Sequence, residues 1–159
     1  MLRVTMISSL LLWLLACGGD SGSAGSASGD PAQVTYAPSL GVDLTAMQRR
    51  DSGLYVQDTQ VGTGDEATLG RQVTVNYTGW LPDGTQFDSS KAAGRKPFFF
   101  TPGQGRVIEG WEQGVPGMKV GGVRRLVIPS SLGYGAQGAP PSIPSNSVLI
   151  FDVELVSIP

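Results

Sequence analysis

The chain contains no histidine and only one cysteine among its 159 residues. Without histidine it lacks the commonest general base and the commonest transition-metal ligand, which excludes Ser-His-Asp and Cys-His catalysis and most zinc sites. A lone cysteine forbids an intrachain disulfide. Charge is sparse too: 15% of residues are charged, against about 25% in typical soluble proteins. A formal net charge of −2 leaves no basic excess to neutralise phosphates, so no nucleic-acid partner is expected. The length suits one domain plus appendages, since domains commonly hold roughly 100 to 150 residues.

The N-terminus reads as an address. Arg3 precedes a nearly uninterrupted apolar run from Met6 to Ala16. That run falls short of the about 20 residues needed to span a bilayer and suits the apolar region of a secretory signal. Its ending, Leu14-Leu15-Ala16-Cys17-Gly18, resembles the lipobox of bacterial lipoproteins. The resemblance implies a signal peptide over 1–16, lipidation of Cys17, and membrane attachment on the periplasmic or extracytoplasmic face of a bacterial envelope. The alternatives are a plain signal with an incidental cysteine, or a buried N-terminal helix. After Cys17, residues 18–30 read GGDSGSAGSASGD. Such a segment buries too little apolar surface to offset its ordering entropy, so 17–30 is expected to be a lipidated cysteine and a flexible tether. In 31–52, Tyr36, Leu40, Val42, Leu44 and Met47 are interrupted by Pro38 and Gly41. This stretch reads as an extension that packs on the domain without defining it.

From Gly53 onward, short alternating runs are separated by turn signals, the pattern of an antiparallel sheet. Strands are expected over Gly53 to Gln60, Gln72 to Leu81, Thr85 to Ser89, Lys96 to Thr101, Gly122 to Ile128 and Ser147 to Ile158. Pro82-Asp83-Gly84 is a strong turn between the second and third. One segment departs from this period: Val107, Ile108, Trp111, Val115 and Met118 recur at spacings of three and four, predicting a short amphipathic helix over Val107 to Met118. The expected fold is α+β over 53–159, a curved five- to six-stranded antiparallel sheet wrapped around one short amphipathic helix.

Tyr77, Phe87, Phe98, Val107, Ile108, Trp111, Tyr134 and Phe151 supply aromatic and apolar groups across this domain. On periodicity alone they are either filled core or the lining of an apolar cavity with a few polar rim groups. Asp88 is either a rim group or a turn former, and Tyr134, in GYGAQG, either a rim group or a buried aromatic. Glu109 and Glu112 fall on the helix side opposite Ile108 and Trp111 and read as solvated. Arg124-Arg125, a basic pair near the candidate cavity, reads as the solvated face of a strand, the alternative being a phosphate site.

The motifs VNYTGWLPDGTQFDSS, KPFFF, GQGRVIEGWEQGVPGMKVGG and RRLVIPSSLGYGAQGAPPSIPSNSVLIFDVEL closely resemble the FKBP-type peptidyl-prolyl cis-trans isomerases over roughly Arg71 to Pro159. The layout of anchor, tether and single domain is similar to their bacterial lipoprotein members. The resemblance implies a proline-ring pocket floored by Trp111 and walled by Tyr77, Phe87, Phe98, Val107, Ile108 and Phe151. It places the Tyr134 hydroxyl over the pocket, Asp88 at the rim hydrogen-bonded to Tyr77 and an arginine, for which Arg95 is the candidate, and Ile143 in the upper wall. It further implies isomerisation of X-Pro bonds in folding envelope or secreted proteins by non-covalent stabilisation of a twisted amide, with no cofactor and no metal. The implied partners are proline-containing polypeptides and macrolide inhibitors, and a monomer is expected. The competing reading is a membrane-tethered holdase that binds such segments with little turnover. The chain departs from the family pattern in the longer KAAGRK insertion after Ser90, at Ala139, and at Ser142-Ile143.

Overall fold

Seven short runs pair into one antiparallel sheet: β1 (Gln48–Arg49), β2 (Tyr55–Gln60), β3 (Val73–Trp80), β4 (Gln86–Ser89), β5 (Phe98–Phe100), β6 (Val123–Ile128) and β7 (Leu149–Ser157). The computed structural model describes residues 29–159. The expected signal peptide, Cys17 and all but the last two residues of the expected tether lie outside the described residues. The strand order is β1-β2-β6-β7-β3-β4, and β5 also pairs with β3. β5 lies against Val73 to Val75 and β4 against Thr78 to Trp80, so both share one flank of β3, and residues 90–97 form an excursion between them.

Alternation along the central strands divides the apolar residues between two faces. On the inner face Leu126 and Ile128 of β6, Phe151, Val153 and Leu155 of β7, and Val73 and Val75 of β3 pack into the main core. On the outer face Tyr55, Val127 and Ile150 point the other way, and Leu40 and Met47 of the 31–52 extension close over them. The extension runs through three single 3₁₀ turns, Pro31–Gln33, Pro38–Leu40 and Leu44–Ala46, then adds β1 to the sheet. This last step accounts for a seventh strand where the sequence predicts five or six. It also gives the extension a definite place, as the cover of the outer face.

The inner face carries α1 (Glu109–Gly114). Gly110 and Gly114 are one turn apart and face the sheet. A Cβ on Gly110 would lie 2.5 Å from Ile128 Cγ2, and one on Gly114 would lie 2.7 Å from Leu126 Cδ2, so their bare backbone allows the helix to lie directly on β6. The helix is shorter than the predicted span of Val107 to Met118. Ile108 is extended, with φ −59° and ψ 148°, and Pro116 cannot donate a continuing hydrogen bond. The apolar spacing that suggests a longer helix is shared between a true helix, the extended approach before it and the turn at 115–117 after it.

The reading of Arg124-Arg125 as a solvated pair is corrected. Arg124 is 7% exposed. Its guanidinium binds Asp58 of β2 through two nitrogens and donates from Nη1 to the Gly114 carbonyl at 2.9 Å and the Pro116 carbonyl at 3.2 Å, thereby capping α1. Arg125, on the outer face, grips Asp152 at 2.7 and 2.8 Å and donates to the Leu40 carbonyl, which ties the extension to the sheet. β2 is paired with β6 so that Asp58 sits opposite Arg124, and β6 with β7 so that Arg125 sits opposite Asp152. Each charge has a partner across the ladder.

Candidate functional site

The site begins with a missing side chain. Gly79 of β3 lies opposite Phe151 of β7, and a Cβ there would be 2.6 Å from Phe151 Cε1 and 2.7 Å from Phe87 Cζ. Two rings occupy that space, Phe87 meeting Phe151 edge to face with centroids 5.4 Å apart. Trp111, on the buried side of α1 and 4% exposed, meets Phe151 at 5.3 Å and Tyr77 at 5.1 Å, both nearly perpendicular. Phe98 of β5 closes the opposite side, 6.1 Å from Trp111 and 6.2 Å from Tyr77. These are the edge-to-face arrangements that the aromatic quadrupole favours, and they fix the rings without filling the space between them.

The rings surround an open cavity of about 400 Å³. Val107 and Ile108 line it from the extended approach to α1, and Tyr134, 42% exposed, from the loop after β6. Trp111 Nε1 is buried without a hydrogen-bond partner. The structure thus brings together Tyr77, Phe87, Asp88, Phe98, Val107, Ile108, Trp111, Tyr134 and Phe151. Ile143 is not among the lining residues. Reciprocal hydrogen bonds with Ala139, at 2.8 and 3.0 Å, close a tight loop there, and the Ile143 side chain is 4% exposed within the main core.

Asp88 organises the polar rim. It accepts from the Tyr77 hydroxyl at 2.6 Å, from the Ser89 N–H at 2.9 Å and from Arg95 Nη2 at 2.9 Å. The Asp88 carboxylate is therefore held by a phenol on one oxygen and by an amide and a guanidinium on the other. Arg95 does not itself line the cavity. Burial, followed by the Asp88 contact, pushes the Tyr77 phenol up to about 12. Tyr77 therefore remains a neutral donor throughout the physiological range.

Glu112 departs from the solvated expectation. Its Oε2 accepts from the Gly103 N–H, holding the turn that precedes the cavity, and its Oε1 is buried. Glu109 remains exposed and accepts from Gln113. Gly105 and Arg106 also line the cavity, beyond the residues expected from sequence. Their position immediately before Val107 was the available signal. Among the described residues no group of three or more Cys, Asp or Glu side chains is placed to hold a metal ion.

A family model described as FKBP-type peptidyl-prolyl cis-trans isomerase matches residues 64–156. An FK506-binding protein of Neisseria meningitidis serogroup B is 53% identical over 106 residues, covering 67% of this chain and 96% of that protein. Among solved structures, AtFKBP13 superposes with a TM-score of 0.66 at 41% identity, over 71% of this chain and 98% of the other. A peptidyl-prolyl cis-trans isomerase from Pseudomonas syringae gives 0.63 at 34% identity, over 71% and 80%.

Proposed function

Since the chain belongs to the family of FKBP-type peptidyl-prolyl cis-trans isomerases, we propose that its aromatic cavity receives a prolyl ring and stabilises the X-Pro amide in its twisted form. The observation that carries this reading is a cavity of about 400 Å³ walled by edge-to-face rings.

Rotation about the amide faces a barrier of about 18 to 20 kcal/mol because resonance gives the bond double character. Twisting removes that resonance, leaving a less polarised carbonyl and a more pyramidal nitrogen. An apolar cavity favours this state over the planar, more polar one. Only that difference in binding accelerates the step, and about 4 kcal/mol of it would give a rate increase of roughly 1000-fold. No proton transfer, metal or covalent bond is required, in keeping with a chain without histidine. In this reading Trp111 is the floor under the prolyl ring, with Phe98, Phe87 and Phe151 as walls. Val107 and Ile108 carry the flanking segment, and the exposed Tyr134 hydroxyl donates to a substrate carbonyl. The Asp88 carboxylate, braced by Tyr77 and Arg95, sets the field at the mouth.

The sequence of the first 30 residues supports a role at a membrane. A lipid on Cys17 and a small-residue tether would hold a monomeric isomerase at the envelope surface, where secreted and envelope polypeptides fold. The names of its relatives support FK506-type macrolides as ligands of the same cavity. The test is catalysis of cis-to-trans conversion of a short X-Pro peptide together with its inhibition by such a macrolide. Peptide binding with no increase in rate would replace the isomerase reading with that of a holdase.

A further inference from the structure

Resting on the isomerase reading, we infer that Arg106 makes this site prefer proline segments that carry an acidic side chain next to the proline. Among the described residues, two charged ones line the cavity, Asp88 and Arg106. Asp88 is already matched, with Arg95 at 2.9 Å and the Tyr77 hydroxyl at 2.6 Å. Arg106 is exposed, and among the described residues no hydrogen bond or ion pair engages its side chain. The two acids that follow it closely in the chain are committed elsewhere, Glu109 to Gln113 at 3.0 Å and Glu112 to the Gly103 N–H. Arg106 is therefore the charged lining residue left without a partner of opposite sign among the described residues.

The planar fork of N–H donors of a guanidinium fits a carboxylate. Arg106 directly precedes Val107, which is itself part of the lining, so its backbone is fixed beside the space a prolyl ring would enter. A carboxylate one residue from the proline would reach the guanidinium, a lysine there would be repelled, and a leucine would be indifferent to it. Arg106 is thus a specificity-determining residue, acting on the segment that flanks the reacting bond.

The experiment measures kcat/KM of the full chain for peptides with Glu, Leu or Lys immediately before the proline, and for a second set with the same residues immediately after it. The Glu-to-Lys ratio is expected to exceed one by roughly two- to fivefold in at least one set, the range of an exposed ion pair. It should fall toward one near 1 M salt, where screening acts over about 3 Å, and invert in Arg106→Glu. Because the ratio is taken within each protein, a general loss of activity in the variant does not affect it. A ratio of one in both sets, or a ratio that Arg106→Glu leaves unchanged, overturns the inference. A parent that fails to accelerate even the Leu-Pro peptide overturns the isomerase reading and this inference with it. That result is distinct from catalysis without charge preference, which overturns the inference alone.

Discussion

The Tyr77 hydroxyl donates to Asp88 at 2.6 Å from the neighbouring strand, joining the one carboxylate of the cavity to one of its walls. The bond has a consequence at alkaline pH. The Tyr77 phenol is raised from 10.0 to about 12 in the fold, first by burial and then by Asp88. Below about 10 both folded and unfolded chains hold the proton, and this contribution to stability is fully present. It declines as pH rises through about 12, because the unfolded chain ionises first. Urea midpoints measured across this window should fall for the parent and fall less steeply for Tyr77→Phe. Equal slopes would show that Tyr77 is not held as described.

Gly79→Ala tests the space beneath the rings. Alanine is the better residue for an extended strand, yet its Cβ would lie 2.6 Å from Phe151 and 2.7 Å from Phe87. Overpacking of this kind costs about 1 to 3 kcal/mol, and here the rings yield by moving into the cavity. Isomerase kcat/KM should fall by about tenfold or more in protein that still unfolds cooperatively. Activity equal to the parent would mean that the rings do not shape the site.

Arg124→Ala is expected to be among the most damaging substitutions outside the cavity. It removes both bonds to Asp58 and leaves the Gly114 and Pro116 carbonyls without this donor at the end of α1. Asp58 is itself 40% exposed and stays solvated, so the cost comes from the lost charge-assisted hydrogen bonds, about 1.5 to 3 kcal/mol. Denaturant unfolding should show a loss of that order, with only part of it recovered in Arg124→Lys, because an ammonium cannot reproduce the fork.

The strands were legible because their alternation survives in the sequence, and the core of the site was legible because Trp111, Tyr77 and Phe151 sit where several separated motifs place them. Other features were hidden for physical reasons. The cover of the outer face is built from single 3₁₀ turns, which leave no period to read. Arg124 and Arg125 occupy successive strand positions and so face opposite sides of the sheet, and only the register identifies Asp58 and Asp152 as their partners. Ile143 has the composition of a wall residue, but its bridge to Ala139 places it in the core. Arg106 carries no apolar signal of its own, and that of its neighbours Val107 and Ile108 masks it.

Leu40→Ala tests the outer cover. Leu40 is 7% exposed against the sheet's outer cluster, and truncating a buried leucine costs about 2 to 5 kcal/mol. The expected result is lower thermal stability with little change in kcat/KM, since the cavity lies on the other face. A large loss of activity at retained stability would instead connect the extension to the site.

The central claim is that the cavity accelerates X-Pro rotation by apolar contact with a prolyl ring and a donor at its rim. The most direct measurement is the cis-to-trans rate of a short X-Pro peptide with the parent protein and with a Phe98→Ala, Tyr134→Ala double variant shown to be folded. Both residues are substantially exposed, at 39% and 42%, so the variant should keep its core. The account predicts strong acceleration by the parent and its near loss in the variant. A folded parent that leaves the uncatalysed rate unchanged, or a variant as active as the parent, would contradict it.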